Sequence, residues 1–136
     1  MILIIGGRCQ GKLSFARKLL CSAGRDNREN DRDSIVADGA ADSPDAVLQA
    51  EIVNHMELFI RQLMQSGEDT SQFVERFILE NQSAVVIADE IGQGIVPVDA
   101  FEREYREMAG RLCQRLAAVS AEVYRIVCGV ETKIKG

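Results

Sequence analysis

The chain has 136 residues, a net charge of −5 and 46% hydrophobic residues. That is enough for one domain around one core and too little for a second catalytic domain. No cluster of Lys or Arg breaks the acidic balance, which argues against a nucleic-acid surface. No apolar run approaches the ~18 residues needed to span a bilayer, so no membrane partner is expected.

The opening Met1–Ile5 run is too short for a signal-peptide core and lacks a basic flank, so a cytoplasmic location is expected. It reads as a buried strand ended by Gly6-Gly7. Leu13, Ala16, Leu19 and Leu20 follow at helical spacing, predicting a helix from Lys12 to Ser22 with Gly24 at its C-terminal cap. Arg25 to Asp33 is wholly polar and reads as a solvated, mobile loop. Ile35 to Gly39 is a second apolar run. Ser43-Pro44 then starts a predicted long helix whose stripe is Leu48, Ile52, Met56, Phe59 and Leu63. A shorter helix is expected near Ser71 to Leu79 and a third strand at Ala84 to Ala88. A long helix follows from Asp99 to Val119, then a strand at Glu122 to Cys128 and a short one at Thr132 to Lys135. Alternating strands and helices predict an α/β fold with a mainly parallel sheet flanked by helices, residues 1–136 forming one small domain. The four cysteines, Cys9, Cys21, Cys113 and Cys128, form no C-x-x-C pair and are expected as free thiols.

Gly6-Gly7-Arg8-Cys9-Gln10-Gly11-Lys12 matches the G-x-x-x-x-G-K core of a phosphate-binding loop, in the required setting of strand, loop and helix. Glycines let backbone N–H groups turn inward onto phosphates, and the helix start adds free donors and a favourable dipole. Lys12 supplies a cation for the outer phosphates. The next position, where a Ser or Thr hydroxyl would meet Mg²⁺, is Leu13. Ser14 cannot simply replace it, because one residue turns a helix by about 100°.

Asp38 ends one apolar run and Asp89-Glu90 another. Ligands of open parallel sheets sit beyond the carboxyl ends of strands, so either acid could hold Mg²⁺ or orient a nucleophile. They could equally cap the turns that follow. Asp38 is the Mg²⁺ candidate, and Glu90 joins Lys12 as a catalytic candidate. Arg106 and Arg111, five residues apart and so on different faces, could meet phosphate or guanine, or pair with Glu107 and other acids.

Glu90-Ile91-Gly92-Gln93-Gly94-Ile95-Val96-Pro97 resembles the E-V-G-x-G-I-V-P motif of the adenosylcobinamide kinase/adenosylcobinamide-phosphate guanylyltransferase family. The likeness continues through Tyr105 to Arg111, Gln114 to Ala117, Glu122 to Tyr124, Val127 to Gly129 and Lys133 to Lys135. With the glycine loop it covers about residues 1–20 and 84–136. It implies a P-loop α/β fold, often a homotrimer, acting in the nucleotide-loop assembly of cobalamin. Such enzymes phosphorylate the aminopropanol arm of adenosylcobinamide with ATP or GTP, then pass GMP from GTP through a histidine to the substrate phosphate. The partners implied are nucleotide and corrinoid small molecules.

Leu13 departs from the phosphate-loop pattern, and the middle of the chain departs from the family. The sole histidine is His55. A slipped alignment would place Ala50 to His55 on the family's histidine segment. The preferred alignment sets Ile35 to Gly39 on the strand before the family's central helix, and then the nucleotidylated histidine is missing. On that reading His55 lies on the long helix, twelve residues and roughly 18 Å from Ser43, far from the phosphate loop. A nucleotide-binding relative that has lost turnover is the alternative to an active enzyme.

Overall fold

A computed structural model describes residues 1–24, 35–92 and 94–136. The expected mobile loop at Arg25 to Asp33 lies outside the described residues. The first strand, β1, is Ile2–Gly6, and α1 is Lys12–Ser22. Next come β2 (Val36–Asp38), α2 (Pro44–Gln49), β3 (Ile52–Asn54), α3 (Met56–Ser66) and α4 (Thr70–Glu80). The chain closes with β4 (Val85–Asp89), α5 (Ala100–Val119), β5 (Glu122–Val127) and β6 (Val130–Lys135).

The strands form one six-stranded sheet in the order β2-β3-β4-β1-β5-β6. Neighbours are parallel from β2 to β5, and only β6 runs antiparallel, as a hairpin on β5. The mainly parallel α/β fold read from the sequence is the fold of the chain. Side chains alternate across each strand. Leu3, Val53, Val86, Ala88 and Val123 face a core built with α3, α4 and α5. Ile4, Ile52, Val85, Ile87 and Ile126 face the other side, where Ala16 and Leu20 of α1 cover them. The sheet is therefore sandwiched, which is why β4 reads as an unbroken apolar run, its residues Val85 to Ala88 fully buried.

The structure corrects the long helix predicted from Ser43. Ser43 does cap it, its hydroxyl accepting the Ala46 N–H at 3.3 Å. The helix stops at Gln49, and Ala50 turns extended, with φ −73° and ψ 143°. Ile52-Val53-Asn54 then enters the sheet between β2 and β4. The reason lies in where the apolar side chains must go. Leu48 and Met56 join the core beneath α3 and α5, whereas Ile52 joins the core under α1 on the opposite side of the sheet. One helix cannot present its stripe to both faces of a sheet. A strand does so by alternation, and Ile and Val are suited to it.

Candidate functional site

The parallel strands β1, β3 and β4 all end on one edge of the sheet, and the glycine loop rises from β1 there. Gly6 is required by crowding, because a Cβ at this position would lie 2.4 Å from the Ile126 carbonyl oxygen of the neighbouring strand. Cys9 and Gly11 take the left-handed region, with φ 55° and 89°. Gln10 fastens the loop to the turn between β5 and β6. Its side-chain oxygen accepts the Cys128 N–H, and its carbonyl accepts the Gly129 N–H at 3.1 Å. Gly11 then leads into α1 as its N-terminal cap.

Lys12 is 6% exposed, and its ammonium spans the loop. The Nζ donates to the Gly7 carbonyl at 2.6 Å and pairs with Asp89 Oδ1 at 2.6 Å. Leu13, where a hydroxyl was expected, is half-buried: it packs against the core under α1 and also borders the cleft beside the loop. Arg8, Cys9, Gln10, Ser14, His55 and Asp89 line a cleft of about 200 Å³ with the rest of the loop. That is smaller than the roughly 300–1,000 Å³ of a site enclosing a whole ligand. It suits a phosphate chain rather than an entire nucleotide.

His55 belongs to this cleft, contrary to the position expected on a long helix. It sits between β3 and α3 in the left-handed region, φ 54° and ψ 49°. Its Nδ1 lies 3.1 Å from Asp38 Oδ1 at the end of β2. Asp38 also accepts the Ala40 N–H at 3.0 Å, and its own N–H donates to Asp42 at 2.6 Å. The Ala40 N–H first, and His55 after it, hold the Asp38 carboxyl below the usual range. A carboxylate on Nδ1 fixes the tautomer and leaves Nε2 as the reactive nitrogen. Gly39 makes the approach possible, since a Cβ there would fall 2.2 Å from the His55 carbonyl oxygen.

The remaining sequence candidates are spread around this centre. Glu90 forms a two-pronged pair with Arg125 of β5, at 3.0 and 3.1 Å. Arg106 donates to the Ile95 carbonyl at 2.9 Å and so holds the 94–98 segment. Arg111 pairs with Glu107 one turn back on the exposed face of α5. Asp38 reaches the phosphate cleft only through His55. Among the described residues no group of three or more His, Cys, Asp or Glu side chains could hold a metal ion.

One acid was not singled out from the sequence. Glu57, in the first turn of α3, is only 2% exposed. Its Oε2 accepts the Asp89 N–H at 2.9 Å, and Tyr105 of α5 donates to its carbonyl at 2.9 Å. Burial pushes its carboxyl above the usual range. Glu57 and Asp89, with Arg8, Leu58, Arg61 and others, line a second cleft of about 280 Å³ beside the first. The predicted stripe gave no sign of Glu57, because the residue gains its setting from β4 and α5.

A family model described as cobinamide kinase / cobinamide phosphate guanyltransferase matches residues 41–134, which take in His55, Glu57 and Asp89 but begin after the glycine loop. The chain is 47% identical over 51 residues to the bifunctional adenosylcobalamin biosynthesis protein CobU of Salmonella typhimurium. To the protein of the same name from Escherichia coli it is 45% identical over 51 residues. Each match covers 38% of this chain and 28% of the relative's length. No helix among the described residues is long and apolar enough to cross a membrane.

Proposed function

The chain belongs to the cobinamide kinase / cobinamide phosphate guanyltransferase family, and on that premise we propose that it acts in the nucleotide-loop assembly of cobalamin. The reaction has two parts: phosphorylation of adenosylcobinamide with GTP or ATP, and transfer of GMP from GTP to adenosylcobinamide phosphate. Residues 1–136 act as one nucleotide-binding domain on this reading, in the cytoplasm and as a homo-oligomer such as a trimer.

The observation that carries the reading is the His55–Asp38 pair, with His55 on the wall of the glycine-loop cleft. Backbone N–H groups of the loop and Lys12 bind the phosphates and stabilise charge on the group in transfer. For the nucleotidyl half, His55 Nε2 attacks the α-phosphorus of GTP. A P–N bond forms, the bond to the bridging oxygen breaks, and pyrophosphate leaves with the electron pair. Asp38 stabilises the imidazolium. A phosphate oxygen of adenosylcobinamide phosphate then displaces the imidazole. The phosphoryl half needs the γ-phosphorus, not the α-phosphorus, next to the acceptor alcohol.

Mg²⁺ would neutralise phosphate charge, but the chain offers it a thin donor set. Leu13 has no oxygen, Asp38 Oδ1 already accepts from Ala40 and faces His55, and Asp89 is paired with Lys12. The metal would therefore rest on phosphate oxygens and water. Glu90 and Arg106 act on this reading as supports, through Arg125 and the 94–98 segment, and Arg111 lies further out.

Incubation with GTP and Mg²⁺ followed by intact-mass measurement tests the reading. A GMP-sized increase in the wild type, lost in His55→Ala, is expected. GTP labelled at the α- or γ-phosphate, with adenosylcobinamide present, reads the two transfers separately. Nucleotide binding with no adduct and no transfer of either label would refute it in favour of a relative that has lost turnover.

A further inference from the structure

The second cleft shares Arg8 and Asp89 with the phosphate cleft, so a molecule in it lies next to the phosphate chain. It is bordered by the start of α3, the end of β4 and Tyr105 of α5. Its charge does not suit another phosphate. It is lined by the acidic residues Glu57, Asp89 and Glu90, while Arg61, one of its two cations, is already taken by Glu102 through two contacts. Leu58 and Ile91 add apolar wall. This chemistry fits an uncharged alcohol.

The three carboxylates differ in what holds them. Asp89 is paired with Lys12 at 2.6 Å, and Glu90 is paired twice with Arg125. Glu57 has no cationic partner among the ion pairs of the described residues. Its Oε2 accepts the main-chain N–H of Asp89, a residue that lines both clefts.

We propose that this second cleft receives the alcohol that accepts the phosphoryl group, and that Glu57 takes its proton. The inference rests on the kinase half of the function proposed above. The alcohol oxygen bonds to the γ-phosphorus and the bond from that phosphorus to the β,γ-bridging oxygen breaks. The nucleoside diphosphate leaves with the electron pair, and the hydroxyl proton passes to the Glu57 carboxylate. Glu57 is then a catalytic residue in the strict sense, a positioned base within reach of the reacting hydroxyl.

Two variants test the two parts. Leu58→Trp fills the cleft, and Glu57→Gln keeps an oxygen for the Asp89 N–H while removing the base. Adenosylcobinamide binding is measured by equilibrium dialysis with a non-hydrolysable GTP analogue present, and γ-phosphoryl transfer is measured with labelled GTP. The expectation is at least tenfold weaker corrinoid binding in Leu58→Trp with nucleotide affinity kept. In Glu57→Gln, corrinoid binding should stay within about twofold while transfer falls roughly 10²-fold or more. Unchanged corrinoid binding in Leu58→Trp overturns the subsite, and unchanged transfer in Glu57→Gln overturns the base. A wild type that binds adenosylcobinamide without phosphorylating it refutes the kinase function, and the dialysis arm still decides the subsite. A wild type that does not bind it refutes both.

Discussion

Replacing Lys12 by alanine separates two roles that one ammonium plays. Lys12 and Asp89 are 6% and 13% exposed and their charged atoms are 2.6 Å apart, so the pair is largely shielded from water. Removing one partner of a buried pair leaves the other charge uncompensated, at about 3–5 kcal/mol. The Gly7 carbonyl also loses its donor. At this chain length each kcal/mol moves the melting temperature by about 3–5 °C, so a fall on the order of 10–20 °C is expected. The double variant Lys12→Ala/Asp89→Asn removes the orphaned charge and should recover most of that loss. Nucleotide affinity should not recover, because the phosphates have lost their cation. The deficit should be at least ~1 kcal/mol, about fivefold in Kd, in both variants. Urea titration reads stability and calorimetry reads nucleotide affinity. A single variant within 1 kcal/mol of the wild type in stability would show the pair is not the buried contact argued here. Unchanged GTP affinity in a folded variant would remove the phosphate role of the loop lysine.

Asp38→Asn should slow formation of the His55 adduct by at least about tenfold, because an amide neither fixes the tautomer nor stabilises imidazolium; an equal rate in a quenched-flow mass assay would detach Asp38 from the chemistry. Gly39→Ala should destabilise by about 1–3 kcal/mol through the forced contact with the His55 carbonyl, and a melting temperature equal to the wild type would contradict the crowding. Glu57 supplies a pH test. Its folded carboxyl is raised from 4.5 by burial; the hydrogen bond from the Asp89 N–H and the nearby His55 oppose the rise, and the Asp89 charge adds a little to it. Tyr105 and Cys113 of α5 lie on the same electrostatic network. Stability from the neutral acid is therefore full below about pH 4.5 and is lost as pH rises through the folded value. Wild type and Glu57→Gln should be nearly equal in stability near pH 4, with the variant gaining relative to wild type toward pH 7. A difference that does not change with pH would refute this.

Elements whose signals are local could be read from consecutive residues alone. The apolar runs of β1 and β4 needed only their own side chains to be legible, because a strand buried on both faces is apolar throughout. The glycine loop was equally local, since glycine spacing, lysine and helix start all fall within seven residues. The helix starts read at Ser43 and Asp99 are where the helices begin, and the family likeness of the C-terminal block needed no geometry. The stretch from Ile52 to Asn54 was different. Leu48, Ile52, Met56, Phe59 and Leu63 satisfy a helical stripe, and nothing local distinguishes that stripe from a helix, a three-residue strand and a second helix. The choice was made by pairing with β2 and β4, residues distant in sequence, which draws Ile52 to one face of the sheet and Met56 to the other. That single break moved His55 from mid-helix to the end of β3, beside Asp38 and the glycine loop. It also set Glu57 against the end of β4. The candidate site was thus half legible: the glycine loop is written in consecutive residues, whereas the histidine and the buried acid owe their positions to the order of strands in the sheet.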